Sequence, residues 1–407
     1  MTASVSESSS AHVPLPVGHE RPHILDGATK NGAGGIRRLR HPAELPLLRL
    51  CISITVLAYV LWIVFLIWLV IDQEPTGVAA TLRNSVTESA GQFLLLLPLL
   101  PFVLWFVRAK TYAEMRATAV QMSPTQFPEG YRMVVEAAEH FGMRRVPDAY
   151  VVLGNGTINA FATGHGYRRY VAINSDLFEI GGSARDPEAL RFVIAHEVGH
   201  IAAGHSSFWR QLGTALTSNI PLLGQALSRS QEYTADNHGF DVAPRGASGT
   251  MALLTGGKYL GAQVNFHALA DRAARETGIW LHIVSWLASH PIITWRAHAL
   301  RDRSQPGRIV RKPPTSSAWY PPSGLVGSDR SQSWPSPAQM LKHMDALTSR
   351  VPEAEEQFGR YPGMHYNVDL DTIRLADPTP VPRAQATAPA VRPEDEPPMG
   401  ANPETRA

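Results

Sequence analysis

Two long stretches without a charged residue stand out near the front of the chain: 50–71, LCISITVLAYVLWIVFLIWLVI, and 89–107, which contains FLLLLPLLPFVLWFV. The first is 22 residues long and apolar on every face of a helix. At about 1.5 Å per residue it spans the ~30 Å hydrocarbon core of a bilayer. A signal peptide would have a shorter apolar core, starting nearer the first residue. The second stretch has 19 residues and carries Pro98 and Pro101, which kink a helix but are tolerated in membranes. A re-entrant segment is its alternative reading. Between them, 72–88 holds three acids and one arginine, while Arg37, Arg38, Arg40 and Arg49 on one flank and Arg108, Lys110 and Arg116 on the other carry positive charge. Positive flanks stay cytoplasmic. The pattern therefore predicts a two-helix transmembrane hairpin over 47–110 in a multi-pass protein of the cell membrane, with the downstream domain and both termini in the cytoplasm.

Beyond the hairpin the pattern changes to that of a globular domain, 111–304. Met133, Val134, Ala137, Ala138 and Phe141 recur at helical spacing. AYVVL (149–153), TINAFAT (157–163) and RRYVAIN (168–174) read as short strands, punctuated by Gly154-Asn155-Gly156 and Gly164-His165-Gly166 as turns between antiparallel neighbours. Asp186-Pro187 then gives a helix start, with an N-cap followed by proline at the first position. The expected fold class is α+β, mainly helical, with a small antiparallel sheet. A polar leader, 1–46, and a tail, 305–407, which gathers 17 of the 32 prolines, read as disordered by composition. A short helical piece near 338–347 in the tail is suited to docking an unidentified partner.

Composition sharpens this picture by exclusion. A net charge of +2 argues against a nucleic-acid binder with a strongly basic face. A single cysteine, Cys51, excludes a disulfide scaffold and a multi-cysteine metal cage. The charged fraction of 18% lies below the roughly 25% of soluble domains, in keeping with segments shielded from water.

The chemistry is concentrated in the helix that Asp186-Pro187 starts. His196-Glu197-Val198-Gly199-His200 is HExxH, and residues four apart on a helix share a face, so both imidazoles point at one place. A catalytic zinc needs such a pair, a third protein ligand and an open position for water. A third histidine at the metzincin spacing would call for a glycine and then a histidine three and six residues past the motif, where this chain has Ala203 and Ser206. The alternative is a glutamate on a following helix, and Glu232, within SRSQEYTAD (228–236), is the only one between Ile201 and Val242. Asp236 lies one turn further on the same helical face, placed to accept the second ring N–H of a ligand histidine and fix its tautomer.

With these motifs the chain resembles the membrane-bound zinc metallopeptidases of the HtpX heat-shock and CAAX-prenyl-endopeptidase type. The resemblance rests on NAFATG (159–164), HEVGH (196–200), SRSQEYTAD (228–236) and SHPIITWR (289–296), in the family's order over roughly 120–304. It implies a zincin-like domain, one zinc ion held by His196, His200 and Glu232, and Glu197 as the catalytic glutamate. HtpX-like members carry further spans between the second and third motifs. Here 211–228 is uncharged but too polar for a span, which leaves a membrane-facing or lid-like helical pair as the expectation.

The expected function is that of an integral-membrane zinc endopeptidase acting on protein or peptide substrates, with membrane-protein quality control as its setting. Two further functions compete with it: a membrane scaffold that recruits partners through the Pro-rich tail, and a prenyl-peptide-processing protease. Two readings stand for His290: donor to the developing oxyanion, or cap of the helix after Pro291. Arg229 and Arg296 are candidates to pair with Asp236 or another acid. Asn159, Ala160 and Phe161 lie on the strand expected beside the cleft, where an extended substrate adds by backbone hydrogen bonds. Asn159 satisfying its own backbone is the competing reading. His165, His205 and His238 read as ordinary polar or packing histidines.

Overall fold

The computed structural model describes residues 35–71, 76–87, 97–178, 184–218, 220–319 and 336–346. The front of the chain forms α1 (Glu44–Ile71), α2 (Val78–Thr87) and α3 (Leu100–Thr118). There follow β1 (Val120–Gln121), α4 (Pro128–His140), β2 (Asp148–Val152), β3 (Ala160–His165) and β4 (Arg168–Asn174). Eight helices complete the described chain: α5 (Pro187–Ala202), α6 (Phe208–Thr214), α7 (Leu223–Val242), α8 (Gly246–Leu260), α9 (Phe266–Arg275), α10 (Ile279–Leu287), α11 (Ile293–Arg301) and α12 (Pro337–Ala346).

Helix α5 is the centre of the fold. The Asp186 carboxylate accepts from Ala189 N at 3.0 Å, and Pro187 occupies the first turn, where its missing N–H costs nothing. Leu190, Ile194, Ala195 and Val198 of α5 are wholly buried. A helix apolar around most of its circumference is stable only when covered on several sides. Helices α4, α7 and α8 and strands β3 and β4 supply that cover, and Val134 and Ala137 of α4 share one core with Val171 and Ile173 of β4.

The sheet differs from the antiparallel arrangement expected from the sequence. Its order is β1-β2-β4-β3, with β2 parallel to β4 and the other pairs antiparallel. Tyr150 faces Ala172 across the parallel pair, and Phe161 faces the same Ala172 across the hairpin. The cause lies in β4, whose run Tyr170 to Ile173 has no exposed surface. A strand that is apolar without alternation is stabilised in the middle of a sheet rather than at its edge. It therefore separates β2 from β3, and β3 becomes an edge strand. Only the second glycine-punctuated segment is a hairpin turn, with Gly166 at φ 53°. The first carries the chain past β4.

Among the described residues, α1 alone is long and apolar enough to cross a membrane, over Glu44–Trp68. The paired span expected at 89–107 is not established. Residues 88–96 lie outside the described ones, and the rest forms a turn, Leu97–Leu99, and the beginning of α3. Pro101 stands in the first turn of α3, so it starts a helix instead of kinking one. That helix runs on past 107 and 110, the boundaries read from the sequence, into the globular body. The uncharged segment 211–228 contains the end of the short α6 and the start of α7, and holds no spanning helix among its described residues. Helix α6 packs against both α1 and α3.

Two stretches assigned to flexible ends belong in part to the folded body. Arg38 pairs with Asp241 at 2.7 Å, and His41 stacks on Tyr233, its Nε2 2.8 Å from the Gly307 carbonyl. From the other end of the domain, the Arg308 carbonyl accepts from Tyr233 Oη at 3.0 Å, and Trp319 stacks on His267. Thus 35–46 and 305–319 both clamp the helical body. The remainder of the leader, and the tail apart from α12, lie outside the described residues.

Candidate metal centre

Helix α5 presents His196, Glu197 and His200, and α7 crosses it presenting Glu232 and Asp236. The close crossing depends on Gly199. A Cβ added there would stand 2.5 Å from His238 Cβ, so only glycine lets α7 lie this near. At that separation one atom each from His196, His200 and Glu232 fall within 4.8 Å of one another. His196 Nε2 and His200 Nε2 are 3.2 Å apart, and the two Glu232 oxygens lie 3.6 Å from His196 Nε2 and 3.5 Å from His200 Nε2.

These separations test the fit to a metal. Ligands at about 2.0–2.1 Å from a tetrahedral zinc stand roughly 3.3 Å from each other. The separation of the two ring nitrogens is close to that edge, each imidazole lies near it from one of the two Glu232 oxygens, and two imidazoles with a carboxylate are a suitable donor set for zinc with one position left open. The rest of the cluster prepares the donors. Asp236 Oδ1 accepts from His196 Nδ1 at 3.0 Å, which leaves the Nε2 lone pair facing the centre. The same carboxylate is gripped by Arg296, Nη2 to Oδ1 at 2.6 Å and Nε to Oδ2 at 3.0 Å.

The charges of the cluster act strongly on one another. Burial opposes ionisation of Glu232, but the hydrogen bond from His196 and the nearness of His200 hold it well below the usual carboxylate range. Burial opposes Asp236 likewise, and Arg296 and His196 hold it down. His196, despite burial, is pushed up to about 10 by its hydrogen bonds to Asp236 and Glu232. Burial, aided by His196 and His205, lowers His200. Glu197 makes no hydrogen bond of this network. Burial raises it to about 7, with Glu232 and Asp236 adding to the rise and His196 opposing it.

His290 precedes α11, whose N-cap is Ile292, so it caps no helix here. Its ring is largely exposed, and Nε2 lies 3.5 Å from Glu232 Oε1, at the mouth of the centre. Among the described residues Arg229 meets no acid. Its guanidinium donates to the Trp286 and Ala288 carbonyls at 2.9 and 2.8 Å, fixing the segment that leads into Ser289-His290. Asn159, just before β3, is exposed, and its Oδ1 accepts from Ala160 N at 2.9 Å. Ala160 and Phe161 open the edge strand that packs on α5.

Two residues at this site escape the sequence reading. His205 lies beyond the end of α5, where Gly204 at φ 78° turns the chain back, and its Nδ1 is 2.7 Å from His200 Nδ1. Burial, the first cause, and the nearby guanidiniums push its pKa down to about 4, although Glu44 works against them. Glu44, the first residue of α1, is wholly buried and reaches His205 Nε2 at 3.1 Å. A Gly-His pair just past a ligand helix was the signal available for His205. Nothing local marks Glu44.

Two histidines and a carboxylate from a second helix form a cluster that could hold a metal ion, with a buried glutamate beside it, as a metal-dependent hydrolase requires. In agreement, residues 124–220 and 208–304 match the model of Peptidase family M48, a similarity that covers most of the globular part of this chain. Neither the curated proteins nor the solved structures give a match.

Proposed function

We propose that the protein is a membrane-anchored, zinc-dependent endopeptidase whose zinc is held by His196, His200 and Glu232 and whose general base is Glu197. The observation that carries this is the convergence of the three side chains, one donor atom of each within 4.8 Å of the others, between buried helices. Bound zinc supplies a Lewis acid for the scissile carbonyl and lowers the pKa of water toward ~7. Glu197 takes the proton of the attacking water and returns it to the leaving amine. His290 Nε2, exposed at the mouth, donates to the carbonyl oxygen as charge develops there. Asp236 and Arg296 keep the His196 ring in its ligating tautomer. Strand β3, with one edge outside the sheet, receives an extended substrate alongside Asn159, Ala160 and Phe161, by hydrogen bonds indifferent to side-chain identity. Such recognition fits unfolded or membrane-extracted protein segments, as in membrane-protein quality control.

The protein as purified should hold one zinc per chain at neutral pH by elemental analysis. Chelation should abolish cleavage, and zinc should restore it. A content far below one ion, in active protein, would remove Glu232 and the histidines from the metal's coordination.

The anchor follows from α1, where Leu57, Leu61, Val64, Ile67 and Val70 are more than half exposed. Each such side chain left in water forfeits about 1.5–3 kcal/mol. A bilayer removes that cost. The second apolar stretch completes a hairpin, and the basic flanks put the catalytic domain in the cytoplasm. A reporter enzyme fused after residue 407 should be active on the cytoplasmic side only; activity on the outer side would invert the topology.

A further inference from the structure

We propose that Glu44 and His205 are positioning residues of the metal centre, selecting the ring tautomer of His200 and thereby building the base of α1 into the site. This rests on the zinc peptidase reading above and extends it to groups outside the family's motifs.

The argument is one of donors and acceptors. Glu44 Oε1 receives Arg40 Nη1, Arg210 Nη2 at 2.6 Å and His205 Nε2 at 3.1 Å, while Oε2 receives Thr234 Oγ1. With two guanidiniums on one oxygen the group is a carboxylate, and it can only accept. His205 Nε2 therefore carries a hydrogen. A second hydrogen, on Nδ1, would make His205 a buried cation beside the two arginines that already neutralise Glu44. His205 Nδ1 is thus left as an acceptor, and the 2.7 Å contact is a hydrogen bond donated by His200 Nδ1. A neutral imidazole that donates from Nδ1 offers its lone pair at Nε2, the atom facing Glu232 and His196.

The two ligand histidines are therefore set in the same way at different range. Asp236 acts directly on His196; Glu44 acts on His200 through His205. The second path joins three helices at one carboxylate, because Glu44 opens α1, His205 follows α5, and Thr234 lies on α7 two residues from Glu232. Partners that orient a ligand ring in this way are typically worth about 10–100-fold in metal affinity.

The full chain in lipid nanodiscs provides the test, with zinc dissociation constants from chelator competition and visible spectra of the cobalt(II)-substituted protein. His205→Phe keeps a ring and His205→Leu keeps comparable bulk, and neither offers an acceptor. Both should weaken zinc about 10–100-fold and diminish the intense bands of four-coordinate cobalt. His205→Asn places an oxygen where Nδ1 stood and should restore most of the affinity. Thermal unfolding with and without zinc separates positioning from packing. A positioning role reduces the zinc-induced rise in Tm, whereas a purely structural one lowers both curves equally and leaves the dissociation constant alone. Wild-type affinity in whichever of the Phe and Leu variants folds, or an Asn variant as weak as those two, overturns the inference. A wild-type protein that binds no zinc overturns the peptidase reading itself.

Discussion

Glu197→Gln should lower peptide cleavage by about 10²–10⁴-fold while the protein keeps its zinc. The side chain is buried beside His196 and outside the hydrogen-bond network that holds the ligands. Its loss therefore removes a proton acceptor and nothing that orients a donor. Glutamine fills the same volume and carries no charge, so burial penalises it less than a carboxylate. The check is kcat on an unfolded protein substrate together with metal content of the same sample. A fall in kcat with undiminished zinc is the expected pair of results. Cleavage within a few-fold of the wild type would exclude Glu197 as the base, and loss of zinc would make it a structural part of the site.

The second large effect concerns Arg296. Its guanidinium and the Asp236 carboxylate are both almost wholly buried, joined by two hydrogen bonds. Removing one partner of such a pair strands the other charge in a medium that solvates it poorly, at a cost of about 3–5 kcal/mol. Arg296→Met should therefore lower the denaturation midpoint sharply. Asp236 would also lose the group that orients it on His196, so zinc affinity should fall by about 10–100-fold. Replacing both members, Arg296→Met with Asp236→Leu, should recover much of the stability and none of the affinity. Midpoints and dissociation constants for the three variants decide this. Equal recovery of both would show that the pair serves folding alone.

What the sequence disclosed and what it hid differ in physical kind. HExxH and the Glu232–Asp236 pair are i,i+4 relations, and helical geometry makes them readable without knowing where either helix lies. The Asp186-Pro187 start of α5 is a local rule of the same sort. The sheet order was not readable in this way. It depends on competition among strands for the central position, and the uninterrupted apolar run of β4 decided it. Pro101 kinks a helix only from its interior, and the sequence does not mark where the helix begins; at the first turn the same ring is favourable. Glu44 was invisible for a different reason. An acid at the head of an apolar helix is ordinary at the level of sequence, and its partners Arg210 and Thr234 come more than 160 residues later. Gly199 lies between. The motif tolerates any residue there, but the approach of His238 does not.

The convergence of Glu44, at the head of the folded body, and Arg296, near its end, has a consequence for the order of synthesis. A ribosome delivers chain at about 5–20 residues per second, from the N-terminal side. Helix α5 emerges with both histidines long before Glu232, and Arg296 comes later still. Tyr233, one residue from that glutamate, waits for the backbone of Arg308. The growing chain thus lacks the full set of donors and clamps until the segment through Arg308 has been made. On the proposed reading, the donors of the metal centre come together only after the chain through Arg296 has been made.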